Sequence, residues 1–276
     1  MTESDDFDSS DGGGASAVHA VRGAVAFLTR IPVPGRSEAD FGAFRRSPWT
    51  MPVVGALVGA VAGAGFLLPF PWPTVAAIYL LAIYLSTGVT HADGLADLGD
   101  AIAAHDPERR REALRDAGVG VGGALALVVT LFVLALGAVG LASPPSMRPL
   151  DAARIVLAAE VGAKLGMALL VALGTAAHEG LGSQLVDVSD ARALIPAALL
   201  ASPVVLGPSF QVATGLPLGV HIPALAALLA GPAVAVVLLV RTRSWLGGVS
   251  GDVIGAANEL GRALALHAGV IAWAIA

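Results

Sequence analysis

The chain contains no cysteine in its 276 residues, which excludes disulfides, iron–sulfur clusters and thiol catalysis. Charge is scarce as well: 13% of residues are charged, against about 25% in ordinary soluble domains, so the surface cannot be that of a typical water-exposed fold. Lys164 is the only lysine beside fifteen arginines, and no basic surface suited to nucleic acid appears. A P-loop, a Gly-x-Ser-x-Gly elbow and a His-Glu-x-x-His pair are also missing, which removes the common signatures of nucleotide hydrolysis, serine esterases and zinc proteases.

What the chain has instead is apolar length. It is 56% hydrophobic, and runs near the roughly 20 residues that a bilayer core demands recur along it. Candidate spans fall at about 51–70, 72–90, 122–141, 153–173, 191–212 and 222–240, with a more polar segment at 254–276. The reading is an all-α, polytopic integral membrane protein with about six to seven transmembrane helices. Residues 17–30, "AVHAVRGAVAFLTR", are apolar but short and carry two arginines, which suits an interfacial helix that "IPVP" terminates. Residues 1–16 form an acidic, Gly/Ser-rich tail expected to be disordered, without the basic start and apolar core of a signal peptide; 17–276 reads as one membrane-embedded domain. Gly55 and Gly59 offer a small-xxx-small face for close helix packing, although a genome rich in Ala and Gly gives the same pattern.

Arginines set the orientation. Arg22, Arg30, Arg36, Arg45 and Arg46 precede the first span, Arg109, Arg110, Arg111 and Arg115 follow the second, and Arg241 and Arg243 follow the sixth. Only Arg148 and Arg154 fall on the other side, so the N-terminus and loops 91–121, 174–190 and 241–253 are expected in the cytoplasm, at a cell membrane. Nearly every polar cluster lies on those loops.

The first cluster is "THADGLADLGDA" (90–101), whose Asp93, Asp97 and Asp100 stand at i, i+4 and i+7. On a helix these lie within about 60° of one face. Three carboxylates so placed repel unless a cation compensates, and oxygen ligands with room for water and phosphate describe magnesium. The small residues Gly94, Ala96 and Gly99 would admit a ligand closely. A solvated acidic helix start is the plainer alternative. "GGVSGDVIGAANELG" (247–261) repeats the design with Asp252 and Glu259 at i and i+7, and its glycines, Gly251 among them, open a helix N-terminus that suits phosphate. Arg115 and Asp116 precede a glycine run, and Arg115 could fork onto a phosphate or simply mark the membrane edge. His178 and Glu179 stand in a charge-poor loop without the spacing of a zinc pair. Lys164 lies inside a span one turn after Glu160, as an intramembrane functional group or a self-satisfied pair. Arg30 marks the Pro-rich break.

Together, "FLTRIPVP", "HADGLADLGDA", "LRDAGVGVGGALAL", "HEGLG" and "GGVSGDVIGAANELG" resemble, in order and spacing, the cobalamin synthase family of membrane-bound adenosylcobinamide-GDP ribazoletransferases, from about Arg22 to about Arg262. The resemblance implies that adenosylcobinamide-GDP and α-ribazole, or its 5′-phosphate, are joined with release of GMP and with magnesium as cofactor. It implies Asp93, Asp97 and Asp100 as the catalytic and metal residues. It further implies substrate contacts from Arg115, Asp116, Gly251, Asp252 and Glu259, to which Arg30, Lys164 and Glu179 are added from their own chemistry. Two departures are visible: Ala117 and Gly118 replace a usual Ser-Arg, and Lys164 stands where the family tends to hold arginine. Membrane lipid is an expected partner, nucleic acid is not, and an oligomer is compatible with the pattern. A CDP-alcohol phosphotransferase is the nearest alternative, but its motif carries an Ala-Arg pair absent from "DGLADLGDAIA". A cation or metabolite transporter would place such carboxylates near the midplane, often in inverted repeats.

Overall fold

The computed structural model describes residues 11–114, 118–207 and 219–276. Its helices are α1 (Asp11–Leu28), α2 (Glu38–Arg45), α3 (Thr50–Ala64), α4 (Trp72–Thr87), α5 (Thr90–Ala103) and α6 (Pro107–Ala113) in the first half. The second half holds α7 (Val121–Ala142), α8 (Pro149–Leu173), α9 (Leu181–Val186), α10 (Leu194–Ala201), α11 (Ile222–Trp245) and α12 (Gly251–Ile275). Between α10 and α11, the two-residue strands β1 (Leu206–Gly207) and β2 (Gly219–Val220) pair antiparallel. The chain is an all-α polytopic membrane protein.

Four helices have the length and apolar composition to cross a bilayer: α3 with its 3-10 extension to Leu67, α7, α8 and α11; the bent pair α4–α5 makes a fifth if counted as one span. The expected span at 191–212 is shorter than the sequence suggested, since its apolar helix covers Ala191–Val205 and the chain then turns into β1. The polar last segment forms a continuous 25-residue helix, α12. Helix α1 takes in residues 11–16, which composition assigned to the tail.

Local chemistry explains the boundaries. Proline occupies the first turn of α4, α8 and α11, where its missing N–H is no loss. Ser37 caps α2 in a box with Asp40, and the Ser250 hydroxyl accepts the Val253 N–H at the start of α12. Helix α4 ends at Gly88, whose φ of +70° suits a residue without Cβ, and there the axis turns by 95° into α5.

Helix α8 is the centre: 78% of its apolar window is buried, against 28% for the peripheral α7. It packs against α3, α11 and α12, and close approach depends on glycine. A Cβ on Gly55 would lie 2.6 Å from the Glu160 carbonyl oxygen, and one on Gly59 would lie 2.9 Å from Leu157 Cα, so the small face of α3 is a packing face. Gly162 of α8 and Gly231 of α11 oppose each other so closely that a Cβ on either would collide with backbone atoms of Leu228 or Gly162.

One end of the bundle gathers the loops that follow α5, α8 and α11. Ala176 bridges to Val249, Gly182 packs on Ser250 and Gly251, the Arg110 guanidinium lies 5.4 Å from the Trp245 ring centre, and Arg243 donates to the Leu173 carbonyl. The other end holds the start of α8 and the strand pair, where the Arg148–Asp151 ion pair approaches His221. Helices α1 and α2 clasp each other through buried Asp40, which accepts from His19 Nδ1 at 2.5 Å and the Ser37 N–H at 2.9 Å.

Gly162→Leu should force α8 and α11 apart and lower the thermal unfolding midpoint in detergent, at the upper end of the roughly 1–3 kcal/mol typical of overpacking; Gly14→Ala on α1, with open space around its Cβ, should move it far less.

Candidate active site

The two acidic motifs meet in one cavity of about 380 Å³. Its walls come from the end of α1, the α4–α5 break, α9 and the first turn of α12; Asp93, Asp252, His91, His178, Thr90 and Gly251 all line it. Helix α5 is positioned for this by two glycines. A Cβ on Gly94 would lie 2.7 Å from Asp252 Cα, and one on Gly99 would lie 2.8 Å from the Gly122 carbonyl oxygen, so α5 is wedged between α12 and α7. The small residues of the motif therefore serve helix crossing rather than ligand approach, which corrects the sequence reading of Gly94 and Gly99.

The three aspartates have different surroundings. Asp93 is exposed into the cavity. Asp97 is half-buried, and burial together with the neighbouring Asp252, Asp93 and Asp100 carboxylates pushes its pKa up to about 6. Asp100 accepts the Gly120 N–H at 2.8 Å and the Gly123 N–H at 2.9 Å, and so caps the N-terminus of α7. Among the described residues, no three His, Asp or Glu side chains come close enough together to hold an ion by themselves. Asp252 is fixed by its own helix start, accepting from the Ser250 hydroxyl at 3.2 Å.

Other residues singled out from the sequence are dispersed. Gly251 lines the cavity and packs against Gly182, whose Cβ would fall 2.6 Å from the Gly251 nitrogen. Glu179 is exposed on its loop, whereas its neighbour His178 is the one in the cavity wall, its Nδ1 donating to the Glu179 carbonyl at 3.0 Å. The Arg30 N–H donates to the Ser86 carbonyl at 2.7 Å, and its side chain lies over Gly88; it borders a separate groove with Arg36 beside the break. Arg115 and Asp116 lie outside the described residues. His91 belongs to the cavity although the sequence reading passed over it; its place inside "THADG", next to the aspartates, was the available signal.

Lys164 and Glu259 do not reach this cavity. Lys164 is fully buried and donates to Asn258 Oδ1 at 2.5 Å. Glu259 accepts from the Tyr84 hydroxyl at 2.9 Å and from Asn258 Nδ2 at 3.0 Å, with Arg262 Nη1 at 3.3 Å. Glu160 pairs with Arg262 at 3.0 Å. Thus Glu160 and Lys164 reach across to α12 in place of the intrahelical pair that their spacing suggested. Instead, Glu259 lines a second cavity, of about 370 Å³, on the other side of α5 between α4 and α7.

Comparison with known proteins is consistent throughout. The family model described as cobalamin-5-phosphate synthase matches residues 20–270. A protein of Halorubrum lacusprofundi named adenosylcobinamide-GDP ribazoletransferase is 50% identical over 260 residues, covering 92% of this chain and 97% of that one. Proteins of the same name from Haloquadratum walsbyi and Citrobacter koseri are 43% and 34% identical, covering 93% and 88% of this chain and 98% and 96% of theirs. No solved structure matches.

Asp97 supplies a test of the electrostatics. A carboxyl whose pKa is raised in the folded state opposes folding when ionised; the penalty is full above about 6 and shrinks as pH falls from there toward the ordinary value of 3.8. Asp97→Asn should therefore raise the thermal midpoint at pH 7 in the absence of divalent cations, and that gain should shrink at pH 5.

Proposed function

The chain belongs to the cobalamin-5-phosphate synthase family, and on that premise we propose that it transfers the adenosylcobinamide-phosphate group of adenosylcobinamide-GDP to α-ribazole or its 5′-phosphate, late in cobalamin synthesis. The observation that carries this reading is the meeting of Asp93 and Asp252, from two separate motifs, in one cavity at the N-terminus of α12. A helix N-terminus favours phosphate, while two carboxylates beside it repel phosphate unless a cation intervenes.

That donor set fits magnesium. It is all oxygen, and magnesium commonly takes one or two carboxylates with waters and substrate phosphates completing its shell. Asp93 and Asp252 would hold the ion, and Asp100 is committed to α7. A bound magnesium would offset the diphosphate charge and the charge developing on the departing GMP. The chain's own groups do the rest. The α12 N-terminus orients the diphosphate, and the narrow walls from α1 and α9 shield the reacting phosphorus from water. A ribose hydroxyl oxygen of α-ribazole bonds to the phosphorus nearer cobinamide as the anhydride bond to GMP breaks. The Asp93 carboxylate takes the hydroxyl proton and passes it to solvent.

The arginine distribution supports a cytoplasmic location for this end of the bundle. Because the chain lacks cysteine, single substitutions report sidedness cleanly. In right-side-out vesicles, Ser143→Cys at the opposite end should react with an impermeant maleimide and His105→Cys should not; the reverse pattern would invert the orientation.

Purified protein in detergent, given adenosylcobinamide-GDP, α-ribazole and magnesium, should release GMP. Asp93→Asn and Asp252→Asn should each reduce turnover by at least about 10²-fold, as for the loss of a key electrostatic group. Wild-type protein without GMP release would overturn the function, and full activity in both variants would overturn the site.

A further inference from the structure

The second cavity matches the first in size and shares Asp93 with it, but its walls are more apolar. Its volume of about 370 Å³ is enclosed mainly by apolar side chains of α5 and α7, among them Leu95, Leu127 and Leu131. Its polar groups are the Thr130 and Tyr84 hydroxyls and the carboxylates of Glu259 and Asp93; among the described residues, no Arg, Lys or His lines it. Of the described residues, Asp93 alone lines both cavities.

This composition discriminates among occupants. The Glu259 charge is paired with buried Arg262, and the cavity has neither a helix N-terminus nor, among the described residues, a lining cation to hold a diphosphate. A guanine, with several polar edges, would leave donors and acceptors unpaired against leucines. An uncharged bicyclic ring bearing methyl groups suits the walls, and a single ring nitrogen needs only one hydroxyl donor, which Thr130 supplies. The base of α-ribazole, a dimethylbenzimidazole, has that chemistry. Resting on the transferase reading above, we propose that this apolar cavity between α4, α5 and α7 is the acceptor subsite, seating the base of α-ribazole so that its ribose hydroxyl emerges at Asp93. The donor enters from the polar side of α5 and the acceptor from the apolar side, and the oxygen–phosphorus bond forms where the cavities adjoin. Glu259 acts here as a positioning residue: both its oxygens are held by Tyr84, Asn258 and Arg262, so it shapes the cavity floor.

The test separates the two substrates kinetically. Leu131 is 38% exposed, so Leu131→Trp can fill the cavity with little disturbance of the interior. The KM for α-ribazole should rise on the order of tenfold, while the KM for adenosylcobinamide-GDP stays unchanged. Free 5,6-dimethylbenzimidazole should inhibit wild-type enzyme competitively against α-ribazole and not against the donor, an arm that holds even if the variant fails to fold. An unchanged acceptor KM in folded Leu131→Trp, or no inhibition by the free base, overturns the assignment and leaves the cavity to a lipid acyl chain. Those results presuppose GMP release by wild-type protein; its absence would overturn the transferase reading and this assignment with it.

Discussion

Glu160 and Arg262 meet at 3.0 Å with neither side chain reaching solvent, and Lys164 donates to Asn258 one turn further along the same two helices. Two cations and two carboxylates, counting Glu259, are therefore buried between α8 and α12 in equal number. Such a group is expensive to desolvate and stabilises only when every partner is in place, so its geometric demand outweighs its energetic gain. Sliding α12 by one turn along α8 would strand all four charges. The register of α12 is fixed this way, and with it the height at which Asp252 meets α5.

From that fixed register the site follows. Gly255 of α12 lies against the His91 backbone, and Gly94 of α5 lies against Asp252, so the two helices cross at close range. The break at Gly88 aims α5 across the bundle end, and the Arg30 side chain covers the break. Asp100 then joins α5 to the start of α7 through two backbone N–H groups. Helix α5 becomes a partition held on both faces, with Asp93 at its free edge. The i, i+7 spacing of Asp252 and Glu259 places one residue on each side of that partition.

Much of this was legible from residue order. Long apolar runs identified α3, α7, α8 and α11, since a bilayer demands length and hydrophobicity that few other constraints mimic. The Gly55/Gly59 face of α3 was readable because helix period alone brings those positions together. What periodicity cannot state is the partner across a contact. Glu160 and Lys164 satisfy the spacing of an intrahelical pair, yet their partners are roughly a hundred residues away. Asp100 shares a helix face with Asp93 and Asp97, but the nearby α7 N-terminus offers it two donors, and that local demand takes it from the acidic cluster. The short α10 was misjudged because the apolar run continues past the point where the backbone leaves the helix at Leu206.

The division of the site by α5 also gives a physical reason for a membrane enzyme to act on soluble substrates. In the transferase reading proposed above, one reactant is a large diphosphate suited to a helix N-terminus, and the other carries an apolar ring best held away from water. An aqueous pocket serves the first and competes poorly for the second. A helix laid at the bundle end, polar on one side and backed by spanning helices on the other, supplies both environments within the width of a single side chain. Asp93 lines both cavities at that boundary, which is where the proposed transfer would bring the acceptor hydroxyl to the phosphorus.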